Sequence, residues 1–396
     1  MSLIYRCTPL VVALVSGAYL VVVAPGSFHD VPETRSTWSV DLHRYGWMPP
    51  PSESNRAFLE NFSISKLAAL DMATRVAFVD DKTIVAYHSR QITEHDQRKP
   101  GRYLEAWFLQ SNDGSLRRKT QWHTAVRKDN GQADSEGRIF SYSNGKFIVD
   151  ADGTITLYDA SLRTITQQRL EPFGATDMWG LQLLEDGELF LRYESLTQSS
   201  VRYEWRDGST FQLLRSMPGS IMRGRNVRSA NRGLITQCKG GGVCVLDPTG
   251  QIHIVCNDSF CRDEDVNVNA LIGTHMLGIS SFRRGVGVVD DARGLLWFDE
   301  AAPRTHGAPD CQMGETRVAR SGARFGVWVS GYHNCVFDST DVSSLPLIIF
   351  VFDATNPRSI FRVQIDRRGT MDFALSQDGR AMAVLNGSEV SLYRIE

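Results

Sequence analysis

Beyond residue 70 the chain alternates short apolar runs with polar positions, and glycine, asparagine and aspartate cut the runs apart. Residues 138–170, RIFSYSNGKFIVDADGTITLYDASLRTITQQRL, show the unit most plainly. RIFSY, KFIVD, TITLYD and TITQQRL each have strand length and strand periodicity, with breaks at Asn144-Gly145, at Asp152-Gly153 and at a third turn. Asn-Gly and Asp-Gly provide the positive φ that tight hairpins need. The pattern predicts four sequential antiparallel strands, and helical periodicity is nearly absent.

The unit recurs. First strands are expected to begin near Arg75, Arg138, Trp179, Val227, Val268, Arg317 and Met371. Third strands are expected to end near Leu109, Asp159, Trp205, Leu246, Val289, Phe352 and Tyr393. A spacing of about 40–60 residues is that of propeller blades. One four-stranded meander cannot bury both its faces, whereas units stacked in a ring do. The expected fold is all-β: a seven-bladed β-propeller of four-stranded antiparallel blades, one domain over residues 27–396. Its seventh unit, from Met371 onward, supplies only three strands, which would leave a bare edge. An N-terminal strand at residues 36–43, where TWSVDL alternates, is expected to close the ring, with 62–70 as the alternative.

The run FALSQDGRAMAVLNGSEVSLYRI resembles the blade signature of bacterial WD40-like and YVTN-like β-propellers. Tyr158-Asp159, Phe298-Asp299 and Phe352-Asp353 resemble degenerate Trp-Asp dipeptides, the second of them on a fourth strand. The resemblance spans about residues 36–396. It implies a fold used to scaffold proteins, bind ligands or, less often, host enzymes.

The N-terminus has a different pattern. Arg6 is followed by the uncharged run PLVVALVSGAYLVVVA from Pro9 to Ala24, and the next charge is Asp30. Residues 1–26 are therefore expected to be a secretory signal peptide or an uncleaved membrane anchor, with the body exported in either case. Composition narrows the partners. Lys and Arg number 43 against 45 Asp and Glu, a net charge of −2, so no basic excess exists for nucleic acid.

Cysteine usage agrees with export. Outside the N-terminal segment stand Cys238, Cys244, Cys256, Cys261, Cys311 and Cys335, an even set that reads as disulfides in an exported chain. Proximity pairs Cys238 with Cys244, Cys256 with Cys261, and Cys311 with Cys335. A four-thiolate zinc site from the first four is the competing arrangement, but their spacing lacks the usual C-x-x-C knuckles.

The connections are asymmetric. Turns between strands one and two are tight, while connections between strands two and three and between blades are long: His88–Arg102, Trp122–Gly137, Arg215–Val227, Asn257–Asn267, Ala301–Thr316 and His333–Pro346. Both long types emerge at one mouth of the ring, and long loops on a rigid scaffold commonly carry binding. Candidate binding residues on that face are His88, His95, Arg102, His123, Arg223, Arg225, Arg228, His306 and His333.

No G-x-S-x-G elbow, phosphate loop, H-E-x-x-H or EF-hand pattern occurs. Lys239-Gly-Gly-Gly242 lies between strand-like segments with no helix to follow, so it reads as a hairpin. Asp80-Asp81 and Asp290-Asp291 fall at expected turns, where aspartate is favoured for its geometry. No catalytic residue, metal ligand or cofactor is assigned. The expectation is an exported, non-enzymatic binding scaffold for a protein, peptide or glycan, reaching membrane only through its N-terminal segment. The alternative is a periplasmic or secreted propeller enzyme of lactonase, lyase or quinoprotein type, with its site near the axial channel.

Overall fold

The computed structural model describes residues 34–48, 74–92, 101–124, 137–143, 145–151, 153–170, 178–183, 187–195, 200–218, 228–230, 233–238, 242–246, 251–256, 266–272, 275–280, 286–290, 294–299, 312–319, 323–330, 347–356, 358–366, 368 and 371–396. Residues 1–26 and the alternative closing segment 62–70 lie outside them.

Among the described residues, twenty-eight strands form seven four-stranded antiparallel sheets. Blade 1 comprises β2 (Thr74–Asp80), β3 (Thr83–Ile92), β4 (Gly101–Gln110) and β5 (Leu116–Thr124). Blade 2 has β6 (Arg138–Ser141), β7 (Phe147–Ala151), β8 (Thr154–Tyr158) and β9 (Thr164–Arg169). Blade 3 has β10 (Met178–Leu183), β11 (Glu188–Ser195), β12 (Ser200–Asp207) and β13 (Leu213–Pro218). Blade 4 has β14 (Arg228–Ala230), β15 (Gly233–Gln237), β16 (Val243–Leu246) and β17 (Ile252–Cys256). Blade 5 has β18 (Val266–Ile272), β19 (His275–Ser280), β20 (Val286–Asp290) and β21 (Gly294–Asp299). Blade 6 has β22 (Gln312–Val318), β23 (Arg324–Ser330), β24 (Leu347–Asp353) and β25 (Ser359–Ile365).

The last blade joins the two ends of the chain. It contains β26 (Met371–Leu375), β27 (Ala381–Asn386) and β28 (Glu389–Arg394), and its fourth strand is β1 (Trp38–Asp41). In that pairing Trp38 stands opposite Leu392 and Val40 opposite Val390. The backbone N–H groups of Thr37 and Leu42 donate to Leu392 and Ser388, which extends the ladder past both ends. The first strands of successive sheets touch: β26 meets β2, β2 meets β6, β14 meets β18, β18 meets β22, and β22 meets β26. First strands thus line the axis and fourth strands form the rim.

The core is a set of layers between blades. Between blades 7 and 1, Val40, Leu42 and Trp47 pack with Phe78, Trp107, Leu385, Val390 and Leu392. Trp107 donates its indole N–H to the Tyr45 carbonyl, 3.1 Å away. Between blades 1 and 2, Val85, Tyr87 and Phe108 meet Ile139, Phe147 and Val149. Turn chemistry acts as the sequence implies: Gly145, at φ 73°, occupies the left-handed region that the β6–β7 hairpin demands. The carboxylates of Asp80, Asp113, Asp159, Asp207, Asp353 and Asp378 each accept the backbone N–H two residues on. These aspartates are turn formers.

The blade 6 strand begins at Gln312, five residues before the expected Arg317, because a bulge between Met313 and Thr316 breaks the alternation there. Cys238 and Cys244 are bonded across the β15–β16 hairpin, which overturns the four-thiolate zinc arrangement. Cys256 is also disulfide-bonded. Cys261, Cys311 and Cys335 lie outside the described residues.

Candidate functional site

In each sheet the first strand begins and the second strand ends at the same face of the ring. The β3–β4 connection (residues 93–100) and the β5–β6 connection (125–137) therefore share one mouth, while the two-residue β2–β3 turn lies at the other. At the long-loop mouth the starts of β2, β6 and β26 carry Arg75, Arg138 and Asp372. Second-strand residues stand behind them, with Tyr87 opposite Arg75 and Asp150 opposite Arg138. Three blades thus bring five functional groups together.

Their contacts tie the blades to one another. Asp372 accepts the Val76 backbone N–H at 2.9 Å and lies 3.4 Å from the Arg75 guanidinium, linking blade 7 to blade 1. Tyr87 donates its hydroxyl to the Ile139 carbonyl at 3.3 Å, linking blade 1 to blade 2. At the opposite face, Gln377 spans the same three blades by donating to the Val79 carbonyl and to Ser141 Oγ. Ser141 in turn donates to Val79. The group is fixed from both faces.

The electrostatics follow from burial. Asp150 is buried, and removal from water pushes its carboxyl up to about 7, against the pull of Arg138. Burial also raises the Tyr87 phenol, while Arg75 and Arg138 pull it down and Asp372 pushes it up. Arg138 itself is exposed, and among the described residues it makes no hydrogen bond or ion pair. The mouth therefore presents a solvent-facing guanidinium backed by a carboxyl that exchanges its proton near neutrality. A guanidinium so placed suits carboxylate, sulfate or phosphate groups, which it binds through paired N–H donors.

The residues chosen from sequence fare unevenly. His88 is not in a loop. It lies inside β3, opposite Thr74 and Glu105, with no exposed surface. Its Nε2 is 3.8 Å from Glu105 Oε2, and its ring packs against Trp47 and Trp107 at centroid distances of 4.6 and 5.3 Å. Polar His88, Ser89, Arg90 and Gln91 read as loop residues, yet β3 and β4 each run ten residues, with His88 opposite Glu105 in the ladder. Arg102 likewise belongs to β4, paired with Gln91 and Thr124. His123 is an exposed residue of rim strand β5 and meets the Tyr103 ring edge-on at 5.3 Å. Arg228 is the first residue of β14, opposite Ile235. His95, Arg223, Arg225, His306 and His333 lie outside the described residues.

Sequence reasoning missed Arg75, Tyr87, Arg138, Asp150 and Asp372. A signal existed: Arg75, Arg138 and Asp372 recur at or next to the start of first strands, a register that aligned blades would display. Among the described residues, no three His, Cys, Asp or Glu side chains are placed to hold a metal ion.

No protein-family model and no curated protein sequence matches the chain. Among solved structures the chain is similar to BamB from Moraxella catarrhalis, with 13% identity over 81% of this chain and 82% of that one, TM-score 0.36. It is similar to a chain of a mitotic checkpoint complex, with 12% identity over 95% and 100% of the two chains, TM-score 0.45. It is also similar to the C-terminal WD40 domain of Sif2, with 10% identity over 81% and 95%, TM-score 0.39. The fold assignment rests on strand order and register.

Proposed function

We propose that this chain is an exported, non-enzymatic β-propeller that binds a protein, peptide or glycan bearing an acidic group at its long-loop mouth. The observation that carries the reading is the exposed Arg138 at the start of β6, with Arg75 at the start of β2 on the neighbouring blade. A rigid cation at the mouth of a ring, flanked by the longest connections, is a docking feature. Export is supported by the Cys238–Cys244 bond, since such bonds persist in oxidising compartments, and by the uncharged run from Pro9 to Ala24. In this reading residues 1–26 direct the body outward as a cleaved signal or a membrane anchor.

Face-resolved photo-crosslinking in the native host tests the proposal. A crosslinker at Arg138 should capture a discrete partner, and one at Lys146 on the tight-turn side should not. Arg138→Glu should abolish the capture made from a neighbouring mouth position. Equal capture from both faces, or capture indifferent to Arg138→Glu, overturns the docking assignment. Labelling of Cys238 or Cys244 in denatured, unreduced protein overturns the compartment assignment.

A further inference from the structure

Four acidic side chains are buried among the described residues: Glu105, Asp150, Glu204 and Asp372. Three of them have partners. Glu204 is paired with Arg202 and Arg206, Asp372 accepts the Val76 backbone N–H with Arg75 beside it, and Glu105 faces His88. Asp150 differs. It is 8% exposed, and among the described residues its carboxyl makes no hydrogen bond or ion pair. A buried polar group left in this state is costly and calls for a cause.

Its position supplies one. Asp150 is the last but one residue of β7, at the long-loop mouth, and stands opposite Arg138 in the β6–β7 ladder. Residues directly opposite share a face of the sheet, with Cβ atoms about 4.5–5.5 Å apart. Arg138 is exposed and equally unbonded among the described residues. The two groups therefore stand side by side, each with its bonding positions free.

The surroundings select what fits between them. Burial raises the Asp150 carboxyl to about 7 against the opposing charge of Arg138. Among the described residues, Arg138 is the one charge acting on it. Ile155 stands opposite it on β8, β10 carries no ionisable residue, and Tyr193 of β11 lies in the layer between blades 2 and 3. Arg75, Tyr87 and Asp372 act on one another on the blade 1 side. A cation would meet the Arg138 guanidinium first and be repelled. An oxyanion finds paired N–H donors there and, behind them, the O–H of a protonated carboxyl, a short and strong donor to a charged oxygen.

We infer that Arg138 and Asp150 form a single oxyanion site in which protonated Asp150 is the second donor, so that an acidic ligand is taken up together with a proton. This rests on the docking reading above and adds its control. A carboxylate, sulfate or phosphate group is held while Asp150 keeps its proton and is released as pH rises, because the ionised carboxylate repels it. Starting from that ionised form, one proton passes from solvent to Asp150 on binding and returns to solvent on release.

Sulfate is the probe, because it stays a dianion throughout the neutral range. It is titrated at constant ionic strength into the full chain carrying isotope-labelled arginine side chains. The Arg138 Nε–H resonance, identified by its loss in Arg138→Lys, reports the dissociation constant. With one coupled proton and a midpoint at about 7, sulfate should bind about tenfold more weakly at about pH 8 than at about pH 6. Asp150→Asn, a neutral donor throughout, should bind it equally at both values, and its melting curve shows whether the variant is folded. A wild-type affinity that is the same at both values overturns proton uptake and leaves the docking of an acidic group standing. No response at Arg138 at either value overturns both. A pH dependence that persists in folded Asp150→Asn overturns the assignment to Asp150.

Discussion

The sheet that closes the ring and the sheet of blade 4 each have four antiparallel strands but are held by different means. At the closing sheet, strands of four to six residues lie against blade 1, and Val40, Leu42, Trp47, Leu385, Val390 and Leu392 are buried with Trp107. Lys119 covers the Trp107 ring at 4.5 Å, and the Trp38 indole donates to the Ser111 carbonyl. Blade 4 has strands of three to five residues, a covalent clasp between Cys238 and Cys244, and a further disulfide at Cys256. Burial scales with apolar area, so short strands have less of it to offer. A crosslink constrains the unfolded chain whatever the strand length. The molecule uses area at its seam and covalent bonds where area is scarce.

The strongest way to break this comparison is to remove the seam. Deleting residues 1–45 takes away β1 and bares β28, and the product should aggregate on expression. A soluble monomer that melts like the full chain would show that β1 is dispensable. Next, Trp107→Ala should cost about 3–5 kcal/mol, because a fully buried indole leaves a cavity that its neighbours cannot fill. Denaturant titration reads this as a lower midpoint with an unchanged slope.

Protons should act on the seam side of the ring. Asp150 holds its proton up to about 7 in the fold but only to about 3.8 when exposed. The fold therefore binds protons more tightly, and this contribution is complete below about pH 4 and lost as pH rises through about 7. Melting curves between those limits should show a stability loss of at most about 4 kcal/mol from this group. Asp150→Asn should flatten the slope, and an unchanged slope would show that Asp150 stays charged in the fold. The smallest effect belongs to blade 4. Cys238→Ser with Cys244→Ser should cost about 2 kcal/mol, as expected for a bridge closing so short a loop. Reductant should reproduce the loss in the wild type and leave the Trp107 deficit unchanged.

The hairpin grammar was readable because turn chemistry is local. Gly145 and Gly153 announce positive φ, and the aspartate turns announce themselves through residues two positions apart. The partner of β28 was readable because a three-stranded remainder and an alternating TWSVDL segment solve one another's problem. The mouth was harder to read. His88 and Glu105 lie seventeen positions apart and come opposite one another only after β3 and β4 have paired, so a polar run in mid-strand passed for a loop. Arg75, Arg138 and Asp372 come from three blades, and only the ring's curvature gathers them. Alternation reveals which face a side chain takes, but not which distant strand will stand beside it.

The Ser39 and Ser391 hydroxyls, 2.7 Å apart, join residues separated by 352 positions. Every other blade can form from its own hairpins as the nascent polypeptide emerges, since its contacts are near in sequence. The last blade cannot, because β1 precedes and β28 follows the strands of all six other blades. The latch therefore stays open until the strands of the six other blades have all been made.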